Sequence, residues 1–124
     1  MSKLRLTFIS IFAAIATFFG WQLWAASAGL AWTNPTTYVG SGGTIGAGEL
    51  ATNRIYRKVD NGSYSIYQSI PVGSAFSDSN LTTGTYCYKV SVVTTAGVES
   101  DQSNEACKAV DTRKPNAPIN LTVN

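Results

Sequence analysis

Hydrophobic positions follow two different rules along this chain, and the rule changes near residue 28. From Leu6 to Ala31 no residue is charged, and Phe8, Ile9, Ile11, Phe12, Ile15, Phe18, Phe19, Trp21, Leu23 and Trp24 make the segment apolar on every side. That pattern predicts a hydrophobic N-terminal helix. After residue 28 the period becomes two, the repeat of a half-buried strand. Leu30 and Trp32 share one face of a strand that Asn34-Pro35 ends. Residues 39–48, with five glycines and no charge, predict a flexible loop. Strands follow over 52–58 and 64–70, joined by the turn signal Asp60-Asn61-Gly62. Pro71-Val72-Gly73 breaks the pattern, and a short strand is expected over 74–77 before a turn at Asp78-Ser79-Asn80. Two long strands, 85–94 and 103–110, close the chain's ordered part.

Six strands with regular turn signals and no helical pattern beyond the N-terminus favour an all-β sandwich. In segment 85–94, Tyr86, Tyr88, Val90 and Val92 share the aromatic and branched face, which is the expected core side. Leu30, Trp32 and Ile55 are expected to join them there. Cys87 falls on the opposite face, opposite Cys107 on the next strand. An exported chain with two cysteines suggests a disulfide, with two buried reduced thiols as the alternative. A closed loop of about 20 residues contributes roughly 3 kcal/mol in the chain-entropy model. Without histidine, two cysteines cannot complete a tetrahedral zinc site.

Charge and the N-terminus sharpen the picture of where the chain works. Met1-Ser2-Lys3-Leu4-Arg5 is a short basic start ahead of the apolar run. Two readings compete. With Ala26-Ser27-Ala28 as a small-residue site, the segment is a signal peptide cleaved after Ala28. Alternatively, residues 6–24 form an uncleaved membrane anchor with Trp21 and Trp24 at the interface. Both leave the rest of the chain exported, so the expected organisation is 1–28 signal or anchor, 29–110 sandwich and 111–124 tail. Of nine Lys and Arg and seven Asp and Glu, Lys3 and Arg5 belong to the N-terminus, which leaves seven of each sign. No basic patch is visible, so no nucleic-acid partner is expected.

The pieces Leu30-Ala-Trp32-Thr, Asn53-Arg-Ile-Tyr-Arg57, Leu81 to Val93, Ala96-Gly-Val-Glu-Ser100 and Ser103-Asn-Glu105 together resemble a fibronectin type III domain, an immunoglobulin-like sandwich. They correspond to strands B, C and F, the F–G connection and the start of G, with Tyr86 as the tyrosine of the corner near strand F. The likeness is to small exported type III proteins of bacteria and tailed phages. It departs at one edge, because the apolar segment stands where strand A belongs. Lys114-Pro-Asn-Ala-Pro-Ile-Asn-Leu-Thr-Val-Asn124 instead looks like a linker and a strand A, with Ile119, Leu121 and Val123 alternating. Three roles are open for it: a solvated tail, a strand folded back on its own sandwich, or a strand donated to a neighbouring copy, giving a homo-oligomer.

No catalytic constellation is evident. The commonest general base, histidine, is absent, and of Asp78, Glu99, Asp101, Glu105 and Asp111 most fall in turn-like segments. Gly40 to Gly48 lacks the lysine and helix of a phosphate loop, so no cofactor or metal is expected. Tyr56, Tyr64 and Tyr67 form a potential aromatic patch, against core packing of some of them, and Arg54, Arg57 and Lys58 read as a solvated strand face. The resulting expectation is a non-enzymatic module for a protein or glycan ligand, held at a cell envelope or virion surface. Its binding surface is expected on loops 36–50, 71–80 and 95–102. The alternative is a structural subunit linked by its C-terminal strand.

Overall fold

The computed structural model describes residues 26–40 and 42–124. They form six strands: β1 Ala26–Ala31, β2 Leu50–Val59, β3 Ser65–Pro71, β4 Ala75–Leu81, β5 Gly84–Thr94 and β6 Ala106–Val110. One sheet pairs β1 with β4; the other runs β3-β2-β5-β6, and every pairing is antiparallel. The result is an all-β sandwich. The segment 6–24, with its expected helix and membrane role, lies outside the described residues.

The inner faces meet where alternation predicts. Ile55 is fully buried and packs with Tyr86, Tyr88 and Val110 against Ala28 and Leu81 of the facing sheet. Val92 is buried, while Leu30, Trp32 and Val90 are partly buried at the margin of this cluster. Tyr86 donates its hydroxyl proton to the Thr82 carbonyl at 2.9 Å, as a tyrosine corner does. Cys87 and Cys107 sit directly opposite each other on β5 and β6 and are joined by a disulfide.

Four boundaries differ from expectation, each for a local reason. Among the described residues β1 already includes positions 26–28, upstream of the expected start at 29. Ala26 and Ala28 are therefore strand residues, and Ala28 is buried; cleavage after Ala28 would remove half of β1. Asp78-Ser79-Asn80 is not a turn but the end half of β4. Ala26 pairs with Leu81 and Ala28 with Asp78, so Ser79 and Asn80 together oppose Ser27. Asn80 has φ 59°, and its turn-like chemistry serves a β-bulge. The tight turn after β2 places positive φ on Asp60 (52°) rather than on Asn61, and the Asp60 carboxylate accepts from Thr85 N at 2.9 Å. Finally, β6 starts at Ala106, not 103. Glu99 to Ser103 still runs beside β5, but serine hydroxyls replace part of the ladder: Ser100 and Ser103 accept from Val92 N and Val90 N.

Candidate functional site

Past Ala31 the chain leaves the small sheet, and segment 33–49 and the β5–β6 connection flank the Val90–Val92 end of the inner face of β5. Between them lies a cleft of about 770 Å³. Its floor is Trp32, Val90 and Val92, and its walls carry Tyr38, Ile45 and Asp101. This size falls within the ordinary range of ligand sites, about 300–1,000 Å³.

Hydrogen bonds hold each wall. Asn53, fully buried on β2, donates to Asn34 Oδ1 at 2.8 Å and to the Ser91 carbonyl at 3.1 Å. Its own Oδ1 accepts from Gly73 N, and Asn34 donates to the Gly73 carbonyl. One side chain thus ties three separated segments together at the cleft's base. Glu49 does the same at the rim. It accepts from the Tyr38 hydroxyl and from Gly46 N, and its carbonyl accepts from Thr95 N. A Cβ at Gly46 would stand 2.7 Å from Glu49 Oε1, so a larger residue there would push the end of the Glu49 side chain aside. The loop expected to be flexible is in fact cross-tied, with Thr37 bridging Thr44 and Tyr38 N donating to the Gly43 carbonyl. Opposite it, Gly97 at φ 87° makes the tight turn from Thr94 to Val98. Trp32 Nε1 is buried and has no hydrogen-bond partner among the described residues.

A second polar cluster lies between the sheets. Asp78 is 1% exposed and accepts from Arg57 at 2.9 Å, Tyr67 at 2.8 Å and Tyr88 at 2.6 Å. Burial alone would raise this carboxyl; the bonds from Tyr88, Arg57 and Tyr67 outweigh it and hold the group below the usual carboxylate range. Burial also pushes the Tyr88 hydroxyl upward, as does its bond to Asp78. Arg57 lies 3.7 Å over the Tyr67 ring, which itself meets Phe76 edge-on. Asp78 is thus committed to three donors, an anion that clamps the sheets.

The outer face of the larger sheet carries two networks, one part-buried on Glu99 and one exposed on Glu105. Arg54, Tyr56 and Ser91 converge on Glu99, while Tyr64 and Lys58 converge on Glu105. Tyr64, raised to about 12 by partial burial and its bond to Glu105, lies beside Lys58 and Lys89. Cys87, Cys107 and Glu105 cluster there too, but the disulfide occupies both sulfurs.

Several expectations are therefore redrawn. Loops 36–50 and 95–102 do meet at the cleft, whereas 71–80 is mostly strand β4 and contributes Gly73 to the brace. The three tyrosines form no common patch, since a bulge between Ile55 and Tyr56 leaves Tyr67 unmatched and partly buried against the core. Arg57 is an inward ion-pair partner rather than part of a solvated face, and Asp78 is no turn residue. The tail does not occupy the strand A position of its own sandwich: Ile119, Leu121 and Val123 are 82%, 96% and 96% exposed and belong to no strand. Asn53 and Asp78, the two polar anchors, went unpredicted. For Asn53 the available signal was its register, two residues before Ile55 and so on the same inward face of β2; that register carried no signal for Asp78, which lies on β4. No family model and no curated protein matches the chain.

Proposed function

We propose that this chain is an exported, non-enzymatic binding module on a fibronectin type III-like sandwich, displayed at a cell envelope or virion surface. Its protein or glycan ligand seats in the cleft between segments 33–49 and 95–103. The observation that carries this reading is the cleft itself: an apolar floor on rigid strands, walls braced by Asn53 and Glu49, and an indole N–H at Trp32 that has no partner among the described residues. Sites of this make-up bind by shape, with a few polar groups fixing orientation. The type III assignment draws support from the strand order β3-β2-β5-β6 facing β1-β4, with β1, β2, β5 and β6 as strands B, C, F and G. Export draws support from the disulfide, which persists in oxidising compartments, and from the basic start ahead of the apolar segment.

Amide chemical-shift mapping of the full chain against peptide and oligosaccharide panels tests this. Shifts gathered on Trp32, Val90, Val92 and the two walls are expected. Shifts confined to the outer face, near Tyr56 and Tyr64, would refute the cleft as the site. A second reading, a structural subunit linked to its neighbours through the C-terminal strand, is favoured by one observation: three alternating apolar side chains stand in solvent on the tail.

A further inference from the structure

Strand β1 pairs with β4 along one edge, and among the described residues no strand pairs with the other. That free edge lies on the β6 side. There a side chain stands in for a strand, because Lys108 Nζ on β6 donates to the Ser27 carbonyl at 2.6 Å. Where β1 ends, the edge opens onto the cleft floor of Trp32, Val90 and Val92. An unpaired edge beside uncovered core is the arrangement that strand addition completes, the backbone supplying affinity and alternate side chains filling pockets.

The same chain carries a segment of matching form. Residues 115–124, Pro-Asn-Ala-Pro-Ile-Asn-Leu-Thr-Val-Asn, hold no charge. Ile119, Leu121 and Val123 alternate and are almost wholly exposed. Residues 119–124 in extended form span about 20 Å, the length of a six-residue strand such as β1.

We infer that the free edge of β1 and the adjoining cleft receive residues 119–124 of a second copy of this chain, with Ile119, Leu121 and Val123 turned onto Trp32, Val90 and Val92. The inference rests on the cleft being a binding surface and names its occupant. The chain's own tail is badly placed for this. Val110 lies beside Gly84, at the end of the sandwich where β1 begins. To enter antiparallel, as every strand pair in this fold does, the tail must first climb the full length of β1. Eight linker residues, 111–118, reach at most about 28 Å. Their start is folded back, since Arg113 N, Nε and Nη2 all donate to the Asp111 carboxylate. Little length remains for the climb and the return. A neighbour's tail meets no such limit, and reciprocal exchange between two copies closes a dimer, whereas one-way donation builds a chain.

Light scattering on the full chain, with detergent where the N-terminal segment is retained, reads the mass of three proteins: the unaltered chain, a variant lacking residues 115–124, and Leu121→Asp. Leu121 makes no fold contact, so Leu121→Asp leaves the sandwich intact. The expected result is a dimer or larger assembly for the unaltered chain and monomers for both variants. A synthetic peptide of residues 115–124 should bind the truncated variant and change tryptophan emission in a way that Trp32→Phe abolishes. The Leu121→Asp peptide should bind at least tenfold more weakly. A monomeric unaltered chain at 100-micromolar order, or an assembly that survives both tail changes, overturns the inference. If the peptide fails while other ligands shift the cleft amides, the strand exchange is wrong and the binding-module reading stands. If nothing shifts them, both fall.

Discussion

Replacing Asp78 should damage this fold more than replacing any other polar residue. In Asp78→Ala three donors lose their acceptor: Arg57, Tyr67 and Tyr88, at 2.9, 2.8 and 2.6 Å. Hydrogen bonds to a charged group are worth about 1.5–3 kcal/mol each. The relieved burial of the carboxylate offsets part of that sum, and the Arg57 side chain, 23% exposed, recovers some hydration. The net cost should be about 3–4 kcal/mol, near the lower end of what breaking a buried pair costs. That is a large share of a small domain's total, about 5–15 kcal/mol. Equilibrium urea unfolding with the disulfide intact measures it, at unchanged m-value. The pH dependence supplies an independent arm. The folded carboxyl lies below its unfolded value, so its contribution is present above about pH 4 and is lost as pH falls through the folded value. Asp78→Asn should therefore lose stability at pH 7 while flattening the acid limb of the profile. A loss under 1 kcal/mol for Asp78→Ala, or an unchanged acid limb for Asp78→Asn, would show that the cluster is not the clamp described here.

Ile55→Ala removes a fully buried side chain at the centre of the larger sheet and should cost about 3–4 kcal/mol in the same unfolding assay. Reducing Cys87–Cys107, or replacing both cysteines with serine, should cost about 3 kcal/mol through the unfolded chain and leave the amide spectrum of the cleft unchanged. Tyr64, with its folded value raised to about 12, should titrate above the ordinary tyrosine range but before the buried Tyr88, and Tyr64→Phe should remove one ionisation from that part of a spectrophotometric tyrosine titration. Because its folded value is raised, the stability linked to Tyr64 is present below about pH 10 and declines as pH rises toward 12.

What could be read from the sequence was whatever obeys a period. Strands 52–58 and 85–94 announced themselves by alternation, and the inward set Ile55, Tyr86, Tyr88 and Val92 followed directly. Polar residues with two possible uses defeated the same reasoning. Asn80 and Asp78 look like a turn because Asn tolerates positive φ and Asp bonds to its own backbone. In the fold Asn80 spends that tolerance on a bulge, and the bulge keeps Asp78 in the strand, facing inward. Arg57 looked solvated because charge usually is, yet its position two residues after Ile55 puts it on the core side, where only a buried anion makes it tolerable. The cleft was half legible. Its two loops were marked by glycine and turn residues, but the brace through Asn53 joins segments far apart in the chain, and no local pattern encodes that meeting.

The two ends of the sandwich are held by different physics, and the difference bears on where binding occurs. Around Tyr86 and Tyr88 a buried ion pair joins the layers, a disulfide clips β5 to β6 within one sheet, and a tyrosine corner holds the β4–β5 connection. Toward Val92 regular pairing gives way to serine hydroxyls and a glycine turn, and the Glu49 backbone carbonyl, accepting from Thr95 N, ties the loops across the opening. Exposed, side-chain-mediated ladders open more readily than buried backbone ones. Amide exchange should therefore be slowest at Ile55, Tyr86 and Tyr88 and markedly faster at Val90 and Val92, whose N–H groups donate to serine hydroxyls. A ligand or an incoming strand at the cleft end would slow Val90 and Val92 and leave the already protected core unchanged. Protection that rose uniformly across the sandwich would mean that the two ends form one cooperative unit, and the cleft would then have no separate freedom to adapt to what enters it.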